Sequence, residues 1–429
     1  MLRDQVTNLP IVNESSIEPT TALSRRVYRR RRLFAAAFSV VVLVCGTFLL
    51  GTQLSIPPAA IARVAAAPPT PGSTANVTWP DYGSGALGAV GFAGLLSTHG
   101  DQGPVPIASI TKIVTALVVL RAKPLSAGQA GPSITFTSAD VGYYNDQVAQ
   151  DGSVAPVIAG SSLSEVQTLQ AMLLPSANNY ATSLAVWAYG SVPAYLSAAQ
   201  AWLNRHNLVH TSVADTSGIS PKSMSSPSDL VTLGELALAN PVLASIVDQP
   251  AADLPGIGTV KNTNQLLGTA HVDGIKTGTT DQAGACLLFA STLTIGGKPI
   301  VVVGALLNGA THPQLDADIT AVLSSVPTGF HQVQLASAGD TFGTYTTAWG
   351  ESVNLVTKSD VSAVVWSDTP TTVSVTAKPS SMGVIGDTVG SASFTSGDTV
   401  TSVPLILGSS FSDPGPWWRA SHPIEMFGW

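Results

Sequence analysis

The stretch from Pro106 to Leu120 reads PIASITKIVTALVVL, with apolar residues at Ile110, Ile113, Val114, Leu117 and Val118. That recurrence predicts a helix with Ser109 at its start. Ser109 and Lys112 stand three residues apart, so the helix puts a hydroxyl and an amine on one face. Serine becomes a nucleophile when a neighbouring base takes its proton. Lysine can be that base only when burial or a second cation depresses its pKa. Lys112 is the only charged residue between Gln102 and Leu120, a setting in which a solvated lysine is unexpected. A serine at a helix start also sits among backbone N–H groups without intrahelical partners, which can stabilise an oxyanion.

Two later segments carry compatible chemistry. Ser176-Ala177-Asn178 follows Pro175 on a loop expected between two helices, the second running through Trp187. A hydroxyl and an amide there can pass a proton and hold a carbonyl. The pattern is weak alone, since Ser352-Val353-Asn354 matches it as well. Lys276-Thr277-Gly278-Thr279 leads into the apolar strand CLLFASTLT. A strand edge of this kind pairs with an extended peptide, Gly278 permits close approach, and Lys276, Thr277 and Thr279 offer a charge and hydroxyls for a carboxylate.

Around these segments helix and strand patterns mix. A short strand is expected around Ala86 to Leu96. Ser162 and Glu165 form an S-x-x-E capping pattern before a helix to about Leu174. CLLFASTLT and PIVVVGALL form an antiparallel hairpin through Ile295-Gly296-Gly297-Lys298, and Leu315, Ile319, Val322, Leu323 and Val326 line a closing helix. After Gly329, SVNLVT, VSAVVW and TTVSVTA, separated by Gly, Pro, Asp and Ser, predict a small all-β sandwich. The chain ends in WWRASHPIEMFGW, which suits either aromatic closure of that sandwich or a membrane interface.

At the other end, Leu33 to Leu50 carries no charge and the uncharged run continues to Ala62, enough to span a bilayer. Arg25, Arg26 and Arg29 to Arg32 precede it, so residues 1–32 are expected in the cytoplasm and the rest outside. A retained anchor is favoured over a signal peptide cleaved among Ala60, Ala62 and Ala65 to Ala67. The expected divisions are a cytoplasmic tail at 1–32, a transmembrane anchor at 33–54, a Pro/Ala-rich extended spacer at 55–78, a catalytic domain at 79–328 and a β-sandwich at 329–429. From Gly51 onward 12 basic residues face 23 acidic ones, which argues against nucleic acid as a partner. The two cysteines, Cys45 in the apolar run and Cys286 far beyond it, are expected to stay unpaired.

The order S-x-x-K, S-x-N, K-T-G, with gaps of 67 and 100 residues, is far more specific than any one motif. With the flanks PIASITK, PSANNYA and DGIKTGTT, and the segments KNTNQLLG (261–268) and DTSGIS (215–220), the chain resembles the serine-type D-alanyl-D-alanine carboxypeptidases. These are the low-molecular-mass penicillin-binding proteins of peptidase family S11, and its Ala-, Thr- and Gly-rich style is similar to actinobacterial members. The resemblance implies an α/β (α+β) serine β-lactamase/D,D-peptidase-like domain, an antiparallel sheet flanked by helices, with a C-terminal β-sandwich. It implies Ser109 as the acyl-enzyme serine, Lys112 as its base and Ser176 as a proton relay. Asn178, Lys276, Thr277, Gly278 and Thr279 would bind substrate, and the N–H groups of Ser109 and Thr279 would form the oxyanion hole. The substrates implied are peptidoglycan stem peptides losing their terminal D-alanine in the cell wall space, with β-lactams as covalent inhibitors and no metal or organic cofactor. The departure is Ala177, where glycine is common.

Other readings fit less well. A class A β-lactamase needs a glutamate after the second motif, and between Asn178 and Lys276 the only one is Glu235, on a helix face. A Ser-His-Asp hydrolase lacks its G-x-S-x-G elbow, and His206 and His210, four apart without the glutamate of H-E-x-x-H, read as surface residues. A non-catalytic peptidoglycan-binding scaffold would have no use for an activated serine.

Overall fold

The structure is a computed structural model that describes residues 21–65 and 73–428. Its helices are α1 (Thr21–Leu54), α2 (Thr111–Ala122), α3 (Ser138–Val148), α4 (Glu165–Leu173), α5 (Asn178–Tyr189), α6 (Val192–Arg205), α7 (Pro227–Ala239), α8 (Pro241–Val247), α9 (His312–Ser325), α10 (Pro416–Ser421) and α11 (Pro423–Phe427). Within α1, Arg26–Leu54 is long and apolar enough to cross a membrane.

An antiparallel sheet of five strands organises the catalytic half. Its order is Val272–Thr280, Gly284–Ile295, Lys298–Gly309, Ser84–Ala89, Ser97–His99. The hairpin turns at Gly296-Gly297, both with positive φ, and pairs Ile295 with Lys298 as the sequence predicts. Side chains alternate along Gly284–Ile295 because a strand has a period of two. Cys286, Leu288 and Ala290 enter the core beneath α2 and α4–α8, while Leu287, Phe289 and Leu293 enter the core that α9 covers. Both faces are buried, so the run reads as continuously apolar. Helix α2 is buried from Thr111 through Leu120, which is why it shows little amphipathic contrast.

The closing helix α9 buries Leu315, Ile319, Val322 and Leu323 in the second core, together with Phe330 and Trp366 from beyond it. Trp366 Nε1 donates to Leu96 O at 2.8 Å, tying the two halves. The C-terminal half is a six-stranded sheet, in the order Ala62–Val64, Thr341–Thr346, Ser352–Thr357, Thr399–Leu407, Thr388–Ser396, Thr371–Ala377. A separate pair, Phe330–Ala336 with Val361–Trp366, lies beside it, and Tyr345, Leu355, Phe394, Leu405 and Phe411 fill its core.

Three features differ from the sequence reading. The cap of α4 is Ser164 with Gln167, not Ser162 with Glu165: Ser162–Ser164 is a short strand paired with Ser133–Thr135, so the helix starts two residues later on an equivalent S-x-x-Q pattern. Part of the 55–78 segment is no free spacer, because Ala62–Val64 adds to the sheet edge and Ala75 and Val77 pack on the second core. Backbone pairing at an edge needs no apolar periodicity, so composition could not reveal it. The chain's end folds as α10 and α11 against the exit of α1: Arg419 is buried, pairs with Asp413 and donates through Nη1 to Gln53 O at 2.9 Å and Ser55 O at 2.8 Å. Trp418 stacks on His422 and meets Trp349 edge-on, whereas Trp417 is 87% exposed.

Candidate active site

Ser109 lies in a 3-10 turn, Ala108–Ile110, from which α2 continues at Thr111. The residue before it, Ala108, has φ +47°, a costly backbone state for a residue with a Cβ and one concentrated at functional sites. Lys112, one turn into the helix, is fully buried. Its Nζ donates to Ser109 Oγ at 2.8 Å, Asn178 Oδ1 at 2.7 Å and Ser217 O at 3.0 Å. None of these acceptors is a carboxylate. Desolvation, then the field of Lys276, hold the Lys112 pKa well below the ordinary lysine value, with Asp215 opposing. A neutral amine there donates to Asn178 and Ser217 and turns its lone pair to the Ser109 hydroxyl.

Each partner is itself held. Asn178 opens α5 rather than lying on a loop, and its Nδ2 donates to Gln147 Oε1 at 2.7 Å. Ser217 O is presented by the loop 215–220, which folds around Asp215: the carboxylate accepts from the backbone N–H groups of Ser217, Gly218 and Ser220. Gly218 has φ +85°, and a Cβ on it would fall 1.8 Å from Ala108 O. Only glycine lets this loop reach the lysine.

The K-T-G segment lies inside the edge strand Val272–Thr280 rather than ahead of a strand. A Cβ on Gly278 would fall 2.7 Å from Ile107 O, so its absence brings this strand against the turn that bears Ser109. Lys276 is buried, and its Nζ lies 3.1 Å from Thr277 O, 3.3 Å from Thr277 Oγ1 and 3.5 Å from Thr263 Oγ1. Burial brings its pKa down to about 7. Thr277 Oγ1 and Thr263 Oγ1 are 2.6 Å apart. Thr279 is exposed and lines, with Ser109 and Asn178, a cleft of about 610 Å³.

The structure thus brings the three motifs together: Ser109, Asn178 and Thr279 line one cleft, with Lys112, Lys276, Thr277 and Gly278 packed behind it. Ser176 is buried with φ +64°, two residues from Asn178, and its hydroxyl makes no hydrogen bond to Ser109 or Lys112 among the described residues. Glu235 lines a different cleft, with Val90, Phe92 and Asp398. Sequence reasoning missed Gln147, Asp215, Ser217, Thr263 and His312. DTSGIS and KNTNQLLG carry three of these and stood out only as segments, while Gln147 and His312 had no local signal.

Residues 94–307 match the sequence model of the D-alanyl-D-alanine carboxypeptidase family, Peptidase S11. A D-alanyl-D-alanine carboxypeptidase of Streptomyces sp. strain K15 is 29% identical over 50% of this chain and 77% of its own length. The D-alanyl-D-alanine endopeptidase of Escherichia coli K12 is 28% identical over 60% of this chain and 80% of its own. Among solved structures, the Streptomyces K15 DD-transpeptidase superposes with a TM-score of 0.52 at 28% identity, covering 58% of this chain and 98% of that one. Penicillin-binding protein 5 from Haemophilus influenzae, at 18% identity, shares the fold over 81% of this chain and 100% of its own, with a TM-score of 0.55. With the three motifs converging on one cleft inside the matched region, the chain belongs to the D-alanyl-D-alanine carboxypeptidases of peptidase family S11.

Proposed function

We propose that the protein is a membrane-anchored serine D,D-carboxypeptidase that removes the terminal D-alanine from peptidoglycan stem peptides. The observation that carries this reading is the Lys112 amine, buried without a carboxylate partner among the described residues and 2.8 Å from Ser109 Oγ. Neutral Lys112 takes the proton as Ser109 Oγ bonds to the carbonyl carbon of the penultimate residue, and the N–H groups of Ser109 and Thr279 receive the developing oxyanion. Collapse breaks the peptide bond, and the proton passes to the departing D-alanine amine. Water then adds to the ester, its proton goes to Lys112, and the carboxylic acid leaves with Ser109 restored. Asn178 and the edge strand hold the peptide extended, the threonine hydroxyls face its carboxylate end with the buried Lys276 behind them, and Ser176 relays protons once its hydroxyl turns toward Ser109. A β-lactam enters the same first step and stays as the acyl-enzyme, because its leaving nitrogen remains tethered to the acyl group and keeps water out, and Glu235, which lines a different cleft, supplies no second base.

The uncharged stretch Leu33–Leu50 of α1, preceded by six arginines between positions 25 and 32, supports an anchor with its N-terminus in the cytoplasm. Retention fits the contacts beyond it. Cleavage at Ala65 to Ala67 would detach the strand Ala62–Val64 from its sheet and Gln53 and Ser55 from Arg419. The test is D-alanine release from diacyl-Lys-D-Ala-D-Ala, together with labelling by a fluorescent penicillin, for the full chain and for Ser109→Ala. Release and labelling that both vanish in Ser109→Ala are the expected result. A folded wild-type chain that does neither sinks the reading.

A further inference from the structure

The cleft that presents Ser109 has an unassigned group at its carboxylate end. His312, half-buried at the first position of α9, places Nε2 2.6 Å from Thr279 Oγ1. The residues lining the cleft include Asp151 and Asp281 but no lysine or arginine among those described. Lys276 Nζ is turned onto Thr277 O and the hydroxyls of Thr277 and Thr263. A peptide carboxylate entering this cleft therefore meets two acids and depends on hydroxyl donors.

A threonine hydroxyl has one proton, and its neighbour decides where that proton points. When Nε2 is bare it accepts the Thr279 proton, and Thr279 shows the cleft only lone pairs. When Nε2 carries hydrogen it donates to Thr279 Oγ1, and the hydroxyl proton is free to turn to the cleft. An imidazolium adds a positive charge behind that hydroxyl. We propose that His312 is a positioning residue that makes the site select a free terminal carboxylate, by donating to Thr279 Oγ1 and so aiming the Thr279 proton at that carboxylate. This rests on the reading of Ser109 as the acyl-enzyme serine.

The charged groups acting on His312 are Asp316 on its own helix and Lys276 on the edge strand. Burial and Lys276 lower its pKa, and Asp316 opposes them. A bound carboxylate favours the protonated ring, so the preference should be greatest in acid and fade as pH rises.

The test compares the full chain with His312→Ala and His312→Gln, the latter keeping an N–H donor. Each is given diacyl-Lys-D-Ala-D-Ala with a free carboxylate and with a terminal carboxamide, from pH 5.5 to 9. Taking the ratio of the two kcat/KM values cancels the titration of Lys112, and the profile of His312→Gln, which keeps Lys276, separates the titration of His312 from that of Lys276. Expected is a roughly tenfold fall of that ratio in His312→Ala, mostly in KM, with partial recovery in His312→Gln. The wild-type ratio should decline with rising pH. A ratio unchanged in His312→Ala, in a variant that still labels with penicillin, overturns this inference alone. If His312→Ala does not fold, a wild-type ratio flat with pH overturns it instead. A wild-type chain that neither labels nor releases D-alanine overturns the Ser109 reading, and this one with it.

Discussion

Lys112 and Arg419 are both cations withdrawn from water, one under the cleft and one where the chain leaves its anchor helix. Arg419 is matched: Asp413 answers its charge, and Gln53 O and Ser55 O take further N–H bonds. Lys112 meets an amide oxygen, a carbonyl and a hydroxyl, and the charges acting on it are a second lysine, Lys276, and, more weakly, Asp215. A guanidinium stays charged and can serve only as a tie, whereas an amine denied a counter-ion gives up its proton and becomes a base. The two sites show that burial alone does not decide whether a buried cation keeps its charge; whether a carboxylate answers it does.

The sharpest way to break the comparison is Lys112→Ala. Losing the base should slow penicillin acylation of Ser109 by about 10³-fold while the chain stays folded, which stopped-flow labelling and circular dichroism would read together. In the wild-type chain acylation should rise with pH as Lys112 loses its proton and level off well below the pH at which an ordinary lysine titrates. A rate that keeps climbing through pH 10 would mean that Lys112 is charged like a surface lysine.

Next in size is Gly218→Ala. The new methyl would meet Ala108 O at 1.8 Å, and φ +85° penalises any side chain. Pushing the loop away takes Ser217 O from Lys112, so acylation should fall about 10²-fold and stability by about 1–3 kcal/mol. Denaturant titration beside the labelling assay would check both, and a variant of native rate would show that the loop is dispensable.

Arg419→Ala tests the structural cation. Removing it leaves Asp413 and two carbonyls unanswered at the anchor exit, so α10 and α11 should loosen and become open to protease. D-alanine release in detergent should stay within about twofold, since tertiary effects at distant sites are nearly independent. A large loss of turnover would mean that the foot and the cleft are coupled.

The smallest effect belongs to a buried group that is neither tied nor used. Among the described residues neither oxygen of Glu165 has a hydrogen-bond partner, and desolvation raises its pKa to about 7 against the pull of Lys123. The folded state then holds a proton that the unfolded chain releases above its ordinary carboxyl pKa. Stability is therefore lost as pH rises from about 4.5 to about 7. Glu165→Gln should raise Tm by about 2 °C at pH 8 and leave it unchanged at pH 4. Equal shifts at both pH values would show that the carboxyl is not withheld from water.

Much of this was legible in the chain. The S-x-x-K pair is a one-turn spacing, the hairpin at Gly296-Gly297 is two residues of special backbone, and α9 follows from its apolar stripe. Such signals are local, and local geometry is what sequence spacing encodes. The misplacements were also local, with two equivalent caps two residues apart before α4 and Asn178 assigned to a loop when it begins a helix. What sequence could not reach was contact order: Ser217 O lies 105 positions from Lys112, and His312 lies 33 from Thr279. The strand Ala62–Val64 joins a partner some 280 positions on through backbone bonds that any side chains allow.

By itself the sequence determined which atoms are available: one serine and one lysine on a helical turn, an amide, a K-T-G strand, an apolar helix behind arginines and a family resemblance that orders them. Tertiary structure decided what those atoms are. The Lys112 pKa falls, as its proposed role as base requires, because the Asp215 loop, α5 and the edge strand exclude water around it without hydrogen-bonding it to a carboxylate, and desolvation depends on the whole packed surround rather than on any neighbour in the chain.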